Sequence, residues 1–165
     1  MIEVRNLTKR YGAATAVDDL TFTVRPGVVT GFLGPNGAGK TTTFYMIVGL
    51  VRPDSGRILL RGRNVTRLPV YRRAREGLGY LAQEPSVFRK LTVEENLMAI
   101  LEAMPLARAQ RRERCDELLG GLHLAKVARQ RAYTLSGGER RKLEIARALV
   151  RRPMILMLDE PFSGV

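Results

Sequence analysis

The sequence is poor in cysteine and histidine: Cys115 and His123 are the single residues of each type. One cysteine excludes an intrachain disulfide and gives no reason to invoke an oxidising compartment. No apolar run reaches the ~18–20 residues that a transmembrane helix needs. The N-terminal Met1-Ile2-Glu3-Val4-Arg5 carries no signal-peptide pattern. The simplest location is therefore the cytoplasm. Lysine is scarce too, at positions 9, 40, 90, 126 and 142 only, so arginine carries most of the positive charge.

What is present describes an ordinary globular chain. Its 165 residues suit one domain. Hydrophobic residues make up 45% and charged residues 27%, a soluble balance. The formal charge of +12 comes from 28 basic and 16 acidic residues. A basic surface can bind nucleic acid. It can also serve a nucleotide site and a face beside anionic lipid. The arginines are spread over Arg61 to Arg75, Arg108 to Arg114 and Arg140 to Arg152, which also suits a generally basic solvated surface.

Residues 2–4 and 20–24 read as short strands around a turn at Gly12 to Ala14. Val28 to Leu33, apolar and β-branched, predicts a buried strand. Thr41 to Val51 predicts a helix. Pro53-Asp54-Ser55-Gly56 is a turn signal, followed by a strand from Arg57 to Leu60. Leu78 to Leu81 is another short strand. Val93 to Val127 is helical in pattern and opens on a capping box, Thr92-Val93-Glu94-Glu95. Ser136 begins a helix reaching about Arg151. Met154 to Leu158 predicts a second buried strand. Apolar strands alternating with helices give a parallel α/β core. Residues 1–83 form its β part and phosphate-loop core, 84–150 a mainly helical subdomain, and 151–165 a further core strand and the end of the chain.

Gly34-Pro35-Asn36-Gly37-Ala38-Gly39-Lys40-Thr41 matches G-x-x-x-x-G-K-[ST], in the expected context of a buried strand before it and a helix after. The glycines let the backbone curl so that its N–H groups face inward. The helix start adds its dipole and free donors at the same spot. Lys40 brings a point charge to the β- and γ-phosphates, and Thr41 offers a hydroxyl to Mg²⁺.

Met154 to Leu158 runs into two carboxylates, Asp159 and Glu160. The carboxyl end of a strand is where α/β sheets bind ligands. Asp159 there would hold Mg²⁺, and Glu160 would be the general base that polarises the attacking water. By itself the pair could equally be a solvated strand end. Gln83 follows a strand and could reach the metal and the water, or be an ordinary loop amide. Leu135-Ser136-Gly137-Gly138-Glu139 precedes a helix. Ser136 is a good N-cap, and the glycines permit close approach of an anion. Read locally, they could be no more than a cap.

In that order, the phosphate loop, Gln83, Leu135 to Glu139 and Asp159-Glu160 resemble the motif set of ABC-type ATPases over essentially the whole chain. The resemblance implies a RecA-like P-loop NTPase core with N-terminal antiparallel strands and an inserted helical subdomain. It implies ATP and Mg²⁺ as cofactors, with Thr42 also at the nucleotide and Thr41, Gln83 and Asp159 at the metal. It implies a head-to-tail dimer in which Ser136, Gly137 and Gly138 act in trans on the partner's ATP. Tyr11 would stack on adenine. The partners implied are a second ATPase subunit and integral membrane transporter subunits, with no stable nucleic-acid partner, and the place is the inner face of the cell membrane. Thr42 to Leu50, Leu68-Pro69, Arg72 to Gly79, Gln83 through Glu102 and Asp159 to Val165 are similar to the ATPase of the lipopolysaccharide export system. Ala13 to Pro26 looks more like ATPases of bacterial drug or polyketide exporters.

The sequence stops five residues after Glu160. The family continues with an aspartate loop and a switch histidine, and His123 is not that residue, so the chain is expected to be an incomplete copy. The segment from Gln83 to Asn96 would receive the coupling helix of a membrane subunit, with Val87, Phe88, Leu91 and Leu97 lining the groove or belonging to the subdomain core. A non-transport ABC ATPase acting on DNA or ribosomes, and an inactive fragment, are the alternatives. Ser136 follows Lys40 by 96 positions, which leaves no room for the long insertions of relatives that act on DNA.

Overall fold

A computed structural model describes residues 1–82 and 86–159. They fall into two compact units, Met1–Leu78 and Gly79–Val165. In the first, β1 (Ile2–Tyr11) lies between β2 (Ala14–Val24) and β3 (Ser55–Leu60), both antiparallel to it, and β4 (Arg63–Asn64) completes the sheet. The strands around Gly12 to Ala14 are longer than the short runs expected. Ile2 and Val4 bury one face of β1, but the next buried residue is Leu7, an odd step that a regular strand sends to the opposite face. The register shifts between Val4 and Leu7, and Asn6 there has φ 51°. Its backbone N–H donates to Thr21 Oγ1 at 2.8 Å and its side chain to Asp19 Oδ1 at 2.8 Å. The bulge returns Leu7 to the core.

Helix α1 (Lys40–Val48) buries Thr43, Met46, Ile47 and Val48. The last carbonyls of a helix have no partner within it. Here Arg73, 2% exposed on the short helix α2 (Val70–Arg75), donates to Met46 O and Ile47 O at 2.6 Å each. It also donates to Leu68 O and Thr66 O at 2.8 Å. Burial lowers its pKa to about 10, so the guanidinium stays charged at neutral pH and complements the negative end of the α1 dipole.

One expectation fails in this unit. Val28 to Leu33 is not a strand, and Val29 and Leu33 are 100% and 94% exposed. A strand needs a neighbour to take its N–H and C=O groups. No described strand pairs with this segment, and β propensity alone does not hold a ladder. Phe32 still anchors it, with ring centroids 5.4 Å from Phe22 and 6.3 Å from Phe44.

β5 (Leu78–Leu81), of which all but Leu78 belongs to the second unit, pairs with β6 (Ile155–Leu158). β6 was expected to be buried, but only Met157 is, while Leu158 is 41% exposed. The helical run breaks into α3 (Val93–Leu101) and α4 (Arg108–Gly121) around Pro105, with a short 3-10 turn at Ala125–Val127. Proline removes a helix donor and blocks the α region for the residue before it. α3 opens on the expected capping box, Thr92 with Glu95. Its Val93, Leu97 and Leu101 recur every fourth residue. They pack with Leu118 and Leu119 of α4 and with Leu143 and Ala146 of α5 (Gly137–Leu149). Each fully buried leucine is worth about 1.5–3 kcal/mol. Leu97, a candidate for the docking groove, is wholly inside this core.

Cys115 is also in this core, and burial pushes its thiol up from 9.0 to about 11. The raised value favours the protonated native state. That contribution to stability is complete below about pH 9 and is lost as pH rises toward about 11. The thiolate is the reactive form. At pH 8 the native protein should therefore react with an aromatic disulfide reagent at least about a hundredfold more slowly than the unfolded chain. Labelling of the native state within a few-fold of the unfolded rate would contradict the burial of Cys115.

Candidate nucleotide site

The phosphate loop lies in the first unit. Gly37 and Gly39 have φ 84° and 77°, a region that residues with a side chain rarely enter. At Gly39 a Cβ would sit 2.3 Å from Ala16 O and 3.0 Å from Val17 Cγ2, so no other residue fits there. This contact also ties the loop to β2, in the hairpin that carries Tyr11. Lys40 reaches back across the loop, its Nζ donating to Gly34 O at 2.5 Å and Pro35 O at 2.8 Å. The backbone is thus wrapped around an ammonium group. Ala38 N–H donates to Pro35 O at 3.2 Å inside the same curl.

α1 starts directly out of this loop. Its N-cap, Gly39, provides no side-chain cap, and the first turn contains no acidic residue. The free first-turn N–H groups and the positive end of the dipole are left for an anion. Pro35, Asn36, Gly37, Ala38 and Thr41 are exposed, and Thr42 is half-buried. An exposed glycine-rich loop closed by a lysine, with an uncapped helix behind it, fits the phosphates of ATP. Tyr11, at the end of β1, is 51% exposed, and Lys9 Nζ lies 5.3 Å from its ring centroid. The ring is available for stacking.

Asp159 and Leu135 to Glu139 lie in the second unit. Asp159 follows β6, 6% exposed, and its backbone N–H donates to Leu81 O at 3.1 Å. Tyr80, which no sequence signal singles out, donates its hydroxyl to Asp159 Oδ2 at 3.3 Å. No described residue forms an ion pair with this buried carboxylate, and burying a charge costs energy unless a cation answers it. No cluster of three or more His, Cys, Asp or Glu residues exists among the described residues. A single buried carboxylate suits Mg²⁺, which takes one or two protein carboxylates, with phosphate and water oxygens completing its shell. Gln83 and Glu160 lie outside the described residues.

Ser136 caps α5. Its Oγ accepts from Glu139 N at 3.3 Å, and Glu139 Oε2 accepts from Ser136 N at 2.9 Å and Ser136 Oγ at 2.7 Å. These bonds hold the Glu139 carboxyl below the ordinary glutamate range. Leu135 is buried and anchors the motif in the helical core, while Ser136, Gly137 and Gly138 are exposed. A Cβ added at Gly137 or Gly138 would meet nothing within 4 Å.

Residues 17–163 match the family model described as "ABC transporter". The chain is 52% identical over 165 residues to the lipopolysaccharide export system ATP-binding protein LptB of Acidithiobacillus ferridurans, covering all of this chain and 68% of that protein. It is 51% identical over 166 residues to the LptB of Haemophilus influenzae, with 100% and 69% covered. A solved ATP-binding cassette, a dimer in a post-hydrolysis state with ADP and phosphate, superposes with a TM-score of 0.86 at 26% identity, over 100% of this chain and 76% of that one. These similarities show that the chain has the RecA-like P-loop core with an antiparallel β-sheet and a helical subdomain, binds ATP with Mg²⁺ and hydrolyses it, and belongs to the ABC transporter family as an ATP-binding subunit.

Proposed function

We propose that the protein powers lipid export, with lipopolysaccharide as the cargo class, as one half of a head-to-tail ATPase dimer docked on integral membrane subunits at the inner face of the cell membrane. The cargo follows the LptB relatives. One observation carries the dimer. Glycine is the poorest helix former after proline, yet α5 begins with two glycines that have open space where a side chain would go. Nothing among the described residues requires them. A partner's phosphate approaching the first-turn N–H groups of α5 does.

In this reading Lys40 holds the β- and γ-phosphates, and Pro35, Asn36 and Ala38 shape the loop around them. Tyr11 stacks on the adenine, and Thr42 borders the phosphates. Thr41, Asp159 and Gln83 would hold Mg²⁺, which would supply positive charge to offset that of the phosphates. Glu160 takes the proton of the attacking water. Ser136, Gly137 and Gly138 act on the partner's nucleotide, with Glu139 fixing Ser136. Residues 1–83, 84–150 and 151–165 are the β and phosphate-loop part, the signature part, and the carboxylate strand with its sequel. No described helix is long and apolar enough to cross a membrane; in this reading the membrane path is supplied by the partner subunits.

Arg73, Arg114 and Arg147 are occupied by carbonyl oxygens within the fold. The test is transfer: the full-length protein, reconstituted with its membrane subunits in lipopolysaccharide-loaded vesicles, should release lipopolysaccharide to an acceptor only with ATP. ATP hydrolysis with no lipid movement would remove the export reading and leave the ATPase.

A further inference from the structure

The helical unit contains a polar side chain where its pattern calls for an apolar one. Asn96 lies on α3 next to Leu97 and is 0% exposed. A buried amide is costly unless all its groups are satisfied, and here they are. Asn96 Oδ1 accepts from Phe88 N at 2.8 Å and from Arg147 Nη1 at 2.6 Å. Asn96 Nδ2 donates to Thr92 O at 2.9 Å and Phe88 O at 3.0 Å. A single side chain thus takes both backbone groups of Phe88 and joins them to α5.

Arg147 closes the arrangement. It projects from the last turns of α5, and its guanidinium carbon sits 4.3 Å from the centroid of the Phe88 ring, a cation–π contact. Phe88 itself is 50% exposed. Its backbone and one face of its ring are fixed while the rest faces outward. The residues after it are fastened as well: Tyr133 N–H donates to Arg89 O at 3.1 Å and Ala132 N–H to Leu91 O at 2.9 Å. Residues 132–133 lead directly into the cap of α5 at Ser136. The Phe88 loop is therefore joined to the signature helix both before its start and near its end.

Such a network favours one geometry over others, because an apolar replacement would pack without specifying where Phe88 goes. We infer that Asn96 and Arg147 are positioning residues that lock Phe88 and its loop to the signature helix, so that displacement of α5 at the partner's nucleotide is delivered to the surface offered to a membrane subunit. The inference builds on the proposed docking of membrane subunits. No atom of either residue contacts the nucleotide in this scheme. Their effect is on coupling, not on the chemical step.

The experiment compares ATP hydrolysis by the full-length protein alone and in complex with its membrane subunits, for the parent, Arg147→Met, Arg147→Lys and Asn96→Leu. The parent should be stimulated by the membrane subunits. Arg147→Met and Asn96→Leu should keep the basal rate within about twofold and lose at least about fivefold of the stimulation. Arg147→Lys, which retains a cation over the ring, should recover part of it. Hydrogen exchange adds a readout independent of activity: the Phe88 amide should exchange faster in Asn96→Leu. If Asn96→Leu does not fold, the two Arg147 variants decide. Full stimulation in Arg147→Met, or parallel loss of basal and stimulated rates together with thermal stability, would overturn the lock. A parent neither bound nor stimulated by membrane subunits would instead overturn the docking reading.

Discussion

Lys40→Ala should weaken ATP binding by about tenfold to a hundredfold. Loss of a charge-assisted contact to phosphate is worth roughly 1.5–3 kcal/mol, and each ~1.4 kcal/mol is tenfold in affinity. Two effects act in the same direction. The substitution removes the charge that meets the phosphates, and it removes the ammonium that ties Gly34 O and Pro35 O together. The loop then has to be ordered by the nucleotide itself, which adds to the loss. Titration calorimetry on the full-length variant, with its fold verified by circular dichroism, measures the change. Unchanged affinity would take the phosphate loop out of the account.

Glu160→Gln should leave ATP binding within a few-fold of the parent and reduce turnover by at least about a hundredfold, the scale of a lost general base. The amide keeps the size and hydrogen bonding of the carboxylate but cannot accept the proton. With hydrolysis blocked, the ATP-bound dimer should accumulate and be visible by sedimentation on adding ATP. Turnover within a few-fold of the parent would show that Glu160 is not the base.

The parts of the fold that were legible in the sequence are those governed by local chemistry. Thr92-Val93-Glu94-Glu95 predicts a helix start because its two side chains satisfy two backbone donors, and both bonds are present. The phosphate loop is legible because glycine at position 39 answers a steric demand that no other residue meets. What failed depends on distant partners. Val28 to Leu33 has the composition of a strand but no ladder among the described residues, and Leu158 is half exposed for all its apolar surroundings in sequence.

The residues missed at the site share that origin. Tyr80 matters only because β5 lies beside β6 and places its hydroxyl at Asp159. Arg73 reads as one arginine among many in 61–75, yet it is buried on the end of α1, and nothing local in the sequence marks it out. Asn96 did leave a signal: a polar residue on the face of α3 that also carries Val93, Leu97 and Leu101. A polar residue on a core face asks for partners, and the sequence alone did not name them.

In the proposed dimer a second copy completes the ATPase site, through glycines that nothing among the described residues requires. Gly138→Asp places a carboxylate at the open start of α5, where it would repel the partner's γ-phosphate, while leaving the subunit's own phosphate loop intact. Full-length Gly138→Asp and full-length Lys40→Ala should each be nearly inactive alone. Mixed, they can form a heterodimer in which the first supplies an intact phosphate loop and the second an intact signature. The measurement is the ATPase rate against mixing ratio, with heterodimer formation verified by affinity tags on each subunit. The mixture should show activity that neither variant shows alone, greatest near equal amounts. No recovery at any ratio, with heterodimers present and closing on ATP, would contradict the proposed dimer.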